Sequence, residues 1–101
     1  MERPIEFILR GNQDEDFNLH VSQWPEALRP DGMEWSQPAG FVKEHLHVVV
    51  DGHEIEFSPE PMGWQVSFPS SADLQWAQRV AEAFCRTMTR VSGQAGRVVP
   101  L

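Results

Sequence analysis

The strongest pattern in the chain is the alternation of apolar and polar residues on both sides of Asp51-Gly52. Such alternation is typical of half-buried strands, and an Asp-Gly dipeptide readily adopts the two positive φ angles of a type I′ turn. We therefore predict a hairpin over residues 46–57, in which Val48 lies opposite Ile55 and one face carries the apolar side chains. The opposite face is mostly polar and comprises His45, His47, Val49, Glu54, Glu56 and Ser58.

Four further segments complete the predicted sheet. Residues 5–9, 17–21 and 64–68 alternate in the same way, and the polar loop between the first two predicts that they form a hairpin. Residues 97–99 predict a short last strand. The following Pro100 indicates an edge or a strand end, because proline has no N–H for a sheet ladder.

The period changes in the last third of the chain. From Ser71 to about Ser92, apolar residues recur at intervals of three and four, which is the spacing of one face of an α-helix. Ser70 or Ser71 is the predicted N-cap, and Gly93 is suited to end the helix in a left-handed conformation. The other side of the helix is polar and rich in arginine, so we expect only one stripe to be buried.

Together these elements predict an α+β fold. We expect a two-layer sandwich in which an antiparallel sheet of about five or six strands carries one long C-terminal helix on one face. A chain of 101 residues has the size of one domain, so residues 1–101 are predicted to share a single core. The sheet face opposite the helix is expected to be open or only partly covered.

The charge of the chain narrows the choice of partners. There are 15 acidic and eight basic residues, giving a net charge of -7, which argues against nucleic acid and anionic membranes because both attract a positive surface. Residues 45–70 carry four acids and no lysine or arginine, whereas residues 71–101 carry two acids and four arginines. A basic protein partner is therefore favoured.

Cysteine usage and hydropathy indicate the compartment. The single cysteine, Cys85, excludes a disulfide or a cysteine-rich zinc site within this chain. No apolar run is long enough for a signal peptide or a membrane helix, so we predict a cytoplasmic protein. Cys85 lies at the edge of the apolar stripe of the helix, where a thiol is usually a small buried group rather than a nucleophile.

One set of residues has the chemistry of a metal site. The predicted pairing brings His45, His47 and Glu56 to the same sheet face, with Glu54 one pair further along, and imidazole and carboxylate groups suit zinc or ferrous iron. The alternative is a solvated strand face on which histidine and glutamate form favourable cross-strand pairs. We expect no cofactor and keep metal binding as an alternative function.

Two tryptophans lie in a turn-rich segment over residues 24–40. Trp24 and Trp35 either pack back on the core to close one edge or face of the sheet, or form the aromatic rim of a binding surface. Both interpretations stay open from the sequence.

The chain contains no catalytic motif, so we predict a small acidic interaction module without intrinsic catalysis, acting as an adaptor, an inhibitor or an immunity-like protein that binds a basic partner. The alternatives are a metal- or small-ligand-binding domain and a homo-oligomeric module that pairs through the open face or the last strand. The predicted partner-binding residues are His45, His47, Glu54, Glu56, Trp24 and Trp35.

Overall fold

Antiparallel strands form one sheet in a computed structural model of the protein, which describes residues 4–11, 17, 19–36, 46–60 and 63–101. In chain order the described elements are β1 (Ile5–Gly11), a 3-10 helix (Val21–Gln23), α1 (Trp24–Ala27), β2 (His47–Val50), β3 (His53–Glu60), β4 (Gly63–Phe68), α2 (Leu74–Ser92) and β5 (Gly96–Pro100). The described sheet has five strands in the order β2-β3-β4-β1-β5. With α2 packed against the sheet, the predicted α+β fold is confirmed.

The hairpin of β2 and β3 has the predicted turn and register. Asp51 and Gly52 have φ angles of 51° and 77°, as a type I′ turn requires. Val48 pairs with Ile55, so both side chains face the core. The turn is also joined to α2, because the indole Nε1 of Trp76 donates a hydrogen bond to the Asp51 carboxylate at 3.0 Å.

Helix α2 begins after Asp73, not after Ser70 or Ser71 as predicted. The Asp73 backbone is extended, and its carboxylate accepts a hydrogen bond from the Trp76 N–H at 2.9 Å. The two serines lie in a turn that precedes the helix, where the Ala72 N–H donates to the Pro69 carbonyl. At the other end, Gly93 adopts the predicted left-handed conformation with φ 76°.

The apolar stripe of α2 packs on one face of the sheet. The ring of Phe84 meets that of Phe57 edge to face, with centroids 4.8 Å apart. Trp76 makes a similar contact with Phe68 at 5.9 Å. Burial of this interface is the main stabilising contribution, since each large apolar side chain removed from water contributes about 1.5–3 kcal/mol. The large side chains that are almost fully buried are Leu9, Phe17, Leu28, Val48, Val50, Ile55, Val66, Phe68, Val80, Phe84, Thr87 and Met88.

No hairpin forms between β1 and residues 17–21, so that prediction is wrong. Both neighbours of β1 are other strands, β4 on one side and β5 on the other, which leaves no place for a hairpin partner. His20 instead caps the 3-10 helix, because its Nδ1 accepts a hydrogen bond from the Ser22 N–H at 3.2 Å. The alternation reflects burial only in part: Phe17 is 2% exposed and Leu19 packs on the core, whereas Val21 is 45% exposed.

The segment after α1 packs on helix α2. The Asp31 N–H donates to the Ala83 carbonyl at 3.2 Å, and the Asp31 carboxylate accepts hydrogen bonds from Arg90 at 3.0 Å and Arg86 at 3.3 Å. These hydrogen bonds, first that of Arg90 and then that of Arg86, hold the pKa of Asp31 below its ordinary value. Two arginines of the polar side of the helix are thus engaged within the molecule.

Candidate functional site

The sheet face opposite α2 carries most of the polar side chains of the described strands. Both described helices lie on the other face, where Phe84 of α2 contacts Phe57 and Trp24 of α1 contacts Trp64. Strand alternation then directs the remaining side chains of all five described strands to the opposite face. We call this surface the open face.

One row of side chains crosses the open face from β2 to β1. The register places His47 beside Glu56, Glu56 beside Ser67, and Ser67 beside Glu6. Neighbouring strands are about 4.8 Å apart, so Glu56 and Glu6 are separated by about twice that distance, with a hydroxyl between them. Gln65, on the adjoining row, donates a hydrogen bond to the Glu6 carboxylate.

Glu54 extends this row into a patch. It lies two residues before Glu56 on β3, and its carboxylate is 3.7 Å from Nε2 of His47. The side chain of Glu54 is 59% exposed, whereas that of His47 is 14% exposed. The imidazole is therefore held against the sheet while the carboxylate faces solvent. We call Glu6, His47, Glu54 and Glu56 the acidic patch.

A cavity of about 390 Å³ adjoins the acidic patch at Glu54 and Glu56. Its polar lining comes from Glu54, Glu56 and Ser67, and its apolar lining includes Pro4 and Pro69. Carboxylates beside an apolar wall suit the side chain of an arginine or a lysine, which has an apolar stem and a charged end. The residues that line it are Pro4, Glu54, Glu56, Ser67, Phe68 and Pro69.

The charge of the open face changes sign along the strands. Arg10 and Arg97 pair across β1 and β5 near the end of the sheet remote from Glu54. Between the two ends, Ile8 lies on this face beside Gln65 and is only 7% exposed. The patch of carboxylates is thus separated from the arginines by a central row of uncharged side chains.

The structure brings together only some of the residues predicted to bind a partner. His47, Glu54 and Glu56 share the acidic patch. His45 lies outside the described residues. Trp24 and Trp35 do not join the patch: both are half-buried and pack on the hydrophobic core.

The two tryptophans have structural partners. The ring of Trp24 lies 5.0 Å from that of Trp64, and its Nε1 donates to the Leu19 carbonyl at 3.3 Å. The guanidinium of Arg29 lies over the ring of Trp35, 4.9 Å from its centroid. Their packing matches the interpretation in which the turn-rich segment folds back on the domain, and a role in partner binding stays a prediction.

A complete metal site is not present in the described part of the chain. No group of three histidine, cysteine, aspartate or glutamate side chains there is arranged to hold a metal ion. The predicted set requires His45, which the described residues do not include. His47 and Glu56 are nevertheless direct cross-strand partners, as the set demands.

Cys85 is buried, as the helix pattern indicates. Its side chain is part of the hydrophobic core, and the residue is 6% exposed. Burial raises the pKa of the thiol, although a hydrogen bond with Thr89 acts in the opposite direction. A thiol that stays protonated at neutral pH is a poor nucleophile.

Two residues of this surface were missed from the sequence: Glu6, which belongs to the acidic patch, and Ser67, which lies beside it. Each alternates with apolar neighbours, so the sequence does place each on the polar face of its strand. The strand order β3-β4-β1 places Ser67 beside Glu56 and Glu6 beside Ser67, and that order was not predicted.

Comparison with models of protein families, with curated proteins and with solved structures found no match for this chain. In the described residues, no helix combines the length and the apolar composition needed to cross a membrane.

Proposed function

We propose that the protein is a small interaction module that binds a basic protein through the acidic patch. The observation that supports this most is the convergence of Glu6, Glu54 and Glu56 from separate parts of the chain onto one end of the open face. Residues 45–70, which supply most of this surface, contain no lysine or arginine. The module has no catalytic role in this proposal.

The proposed contact combines charge and shape. An arginine or lysine of the partner enters the cavity between Glu54 and Glu56, while its stem packs on Pro4 and Pro69. Arginine satisfies paired carboxylate oxygens better than lysine because its guanidinium forms two parallel hydrogen bonds. The net charge of -7 attracts such a partner before contact, over a range limited to about 8 Å at physiological salt.

Charge reversal tests this proposal. The tagged protein is used to capture partners from its own host at low and at moderate salt, together with the variant Glu54→Lys/Glu56→Lys. The matched control is Glu26→Lys/Glu34→Lys, which changes the net charge equally at exposed positions outside the open face. We expect a basic protein to be captured by the native chain and by the control, and its affinity for the patch variant to fall at least about tenfold.

Two results contradict the proposal. Equal loss of the partner from both double variants means that only the total charge matters. Capture that is unaffected by reversal of Glu54 and Glu56 means that the open face is the wrong surface.

The single cysteine and the absence of a long apolar segment also support a cytoplasmic location, which we include in the proposal.

Metal binding is the second candidate, supported by the pairing of His47 with Glu56 and its proximity to Glu54. Native mass spectrometry of the protein purified without a chelator tests it. A mass increase equal to one zinc or iron ion, lost in His47→Ala, supports the metal site. A metal-free chain that also binds no added Zn²⁺ in titration calorimetry contradicts it.

A further inference from the structure

The chain contains two Asp-Gly pairs, Asp31-Gly32 and Asp51-Gly52. Aspartate followed by glycine is prone to a spontaneous covalent change, because glycine has no Cβ to keep its nitrogen away from the preceding side chain. In the described structure, no heavy atom beyond the adjoining residues lies within 4 Å of the place where a Cβ of Gly32 or Gly52 would stand. The two pairs therefore have the same chemistry and differ in how the fold holds the aspartate.

The reaction changes the connectivity of the chain and needs only water. The Gly52 nitrogen attacks the side-chain Cγ of Asp51 and loses its proton, the bond from Cγ to the hydroxyl breaks, and one water leaves as a succinimide ring closes. Water then adds to the main-chain carbonyl carbon of Asp51 and breaks its bond to the nitrogen. The product is isoaspartate, in which the chain continues through Cγ. No oxidant or reductant takes part.

The fold holds the aspartate of the first pair at its backbone and at its side chain. The Asp31 N–H donates to the Ala83 carbonyl at 3.2 Å. The carboxylate accepts hydrogen bonds from Arg90 at 3.0 Å and from Arg86 at 3.3 Å, and these keep the pKa of Asp31 below its ordinary value. Ring closure requires the neutral acid, because the departing oxygen must carry a proton. Asp31 is thus protected both by restraint and by ionisation.

Asp51 is held less firmly. Its carboxylate accepts a hydrogen bond from Nε1 of Trp76 at 3.0 Å, and a neutral donor of this kind binds a carboxylate more weakly than a guanidinium does. The φ angle of Asp51 is 51°, which L residues rarely adopt, so opening of the turn relieves strain. Asp51 and Gly52 are both exposed, so opening sacrifices little burial.

We propose that Asp51-Gly52 is a site of spontaneous isoaspartate formation, and that the hydrogen bond from Trp76 sets the rate by restraining the carboxylate. Ring closure occurs when this hydrogen bond breaks and the turn opens locally, while the rest of the sheet stays folded. Asp31-Gly32 stays unmodified over the same period. The proposal does not depend on the function proposed for the acidic patch.

The product does not fit the turn. Its main chain passes through the former side chain, which adds one atom between the Cα of Asp51 and the nitrogen of Gly52. A type I′ turn joins two strands through two residues of ordinary backbone length. The carboxylate is now attached directly to Cα, so Trp76 also loses its acceptor. We expect the isomerised protein, once separated by ion exchange, to melt at a lower temperature than the original.

Labelling with heavy oxygen counts the ring openings at each pair. The native protein is incubated at neutral pH, well below its melting temperature, in water enriched in the heavy isotope of oxygen, and each ring opening adds one heavy oxygen. Digestion and electron-transfer fragmentation then locate the label and distinguish isoaspartate from aspartate. We expect Asp51 to be labelled at least about tenfold faster than Asp31, because two hydrogen bonds from charged donors must break at Asp31.

The same chain in concentrated urea is the control. Unfolding removes the contacts of both aspartates and leaves two Asp-Gly pairs in one flexible chain. We expect Asp31 and Asp51 to be labelled at similar rates there. A difference that appears only in the native protein then comes from the fold and not from the local sequence.

Two variants test the individual hydrogen bonds. Trp76→Phe removes the indole N–H and retains an aromatic ring. We expect it to raise the labelling of Asp51 by about threefold to tenfold, the effect of one ordinary hydrogen bond, and to leave Asp31 unchanged. Arg86→Gln/Arg90→Gln should do the reverse and raise the labelling of Asp31 only.

Three results overturn the proposal. Equal labelling of Asp31 and Asp51 in the native protein means that the fold does not select between the two pairs. A native Asp51 that stays unlabelled while the chain in urea is labelled means that the turn does not open. If Trp76→Phe raises the labelling of both aspartates together, the cause is a loss of global stability, and the hydrogen bond from Trp76 does not set the rate.

Discussion

The ring of Phe17 packs directly against the backbone of Gly96, so closely that a Cβ atom at position 96 would overlap the aromatic ring. Gly96 begins β5, and Phe17 belongs to the segment that follows β1. This contact places the Phe17 ring on the core side of the last strand. It also explains why a glycine without a positive φ angle is needed at this position.

Gly96→Ala should lower the free energy of unfolding by about 1–3 kcal/mol, as overpacking does in other cores. Urea denaturation followed by circular dichroism gives the value. If contact with Phe17 is the cause, Phe17→Leu should reduce the cost of the alanine, so that the double variant is less destabilised than the sum of the single ones. Additive losses would mean that the overlap with Phe17 is not the cause.

Asp51 suits the hairpin turn in two respects: aspartate tolerates the positive φ angle better than most residues, and its carboxylate accepts a hydrogen bond from Trp76. Asp51→Ala should therefore lower the free energy of unfolding by about 1–2 kcal/mol. Asp51→Asn should cost less, because asparagine tolerates the left-handed conformation and retains a side-chain oxygen. Thermal and urea denaturation of both variants measure this, and equal losses would refute the role of the Asp51 side chain.

The Asp31 carboxylate should make stability depend on pH. Arg90 and Arg86 lower its pKa in the folded protein, so its contribution is present above the pKa of the unfolded carboxyl and is lost as pH falls through the lowered folded pKa. Asp31→Asn should consequently lower the melting temperature at neutral pH and have no effect in strong acid. The control is Glu34→Gln, which removes another carboxylate of the same segment, and a pH-independent effect of Asp31→Asn would contradict the prediction.

Cys85 should react slowly with thiol reagents in the native protein. Burial raises the pKa of the thiol, and the thiolate is the reactive form. We expect the rate with dithionitrobenzoate near neutral pH to be much lower in buffer than in denaturing urea, where the chain no longer shields the sulfur. A native rate equal to that in urea would show that Cys85 is accessible.

The local part of the fold was predictable from the sequence. The Asp51-Gly52 turn determines which residues of β2 and β3 face each other, and the alternating pattern determines which face is apolar, so His47 and Glu56 were placed together correctly. Helix α2 was also predicted, because its apolar stripe persists over many turns. Only its first residues were misplaced, since serine and aspartate are both good N-caps and their sequence positions are close.

The features that the sequence did not predict depend on contacts between segments that are distant along the chain. Residues 17–21 have a strand-like pattern, but over so short a segment the spacing of apolar residues does not distinguish a strand from an irregular segment that packs on the core. Glu6 joins the acidic patch only because β1 lies beside β4, which local patterns do not specify. The cavity of about 420 Å³ between α2 and β5 depends on where the helix crosses the sheet, and this also follows from packing rather than from periodicity.

The position of β1 in the sheet has a consequence for how the chain folds. β1 lies between β4 and β5, so Ile8 pairs with Gln65 on one side and with Val99 on the other. Both pairings close long loops, and the entropy lost in closing them must be recovered from contacts that form at the same time. On a ribosome, β1 is made first of the described strands, yet its second neighbour emerges only after α2 is complete. The apolar side chains of β1 therefore remain without their full set of native neighbours for longer than those of the other described strands. Exposed apolar surface promotes aggregation, so the risk of aggregation is greatest during this interval.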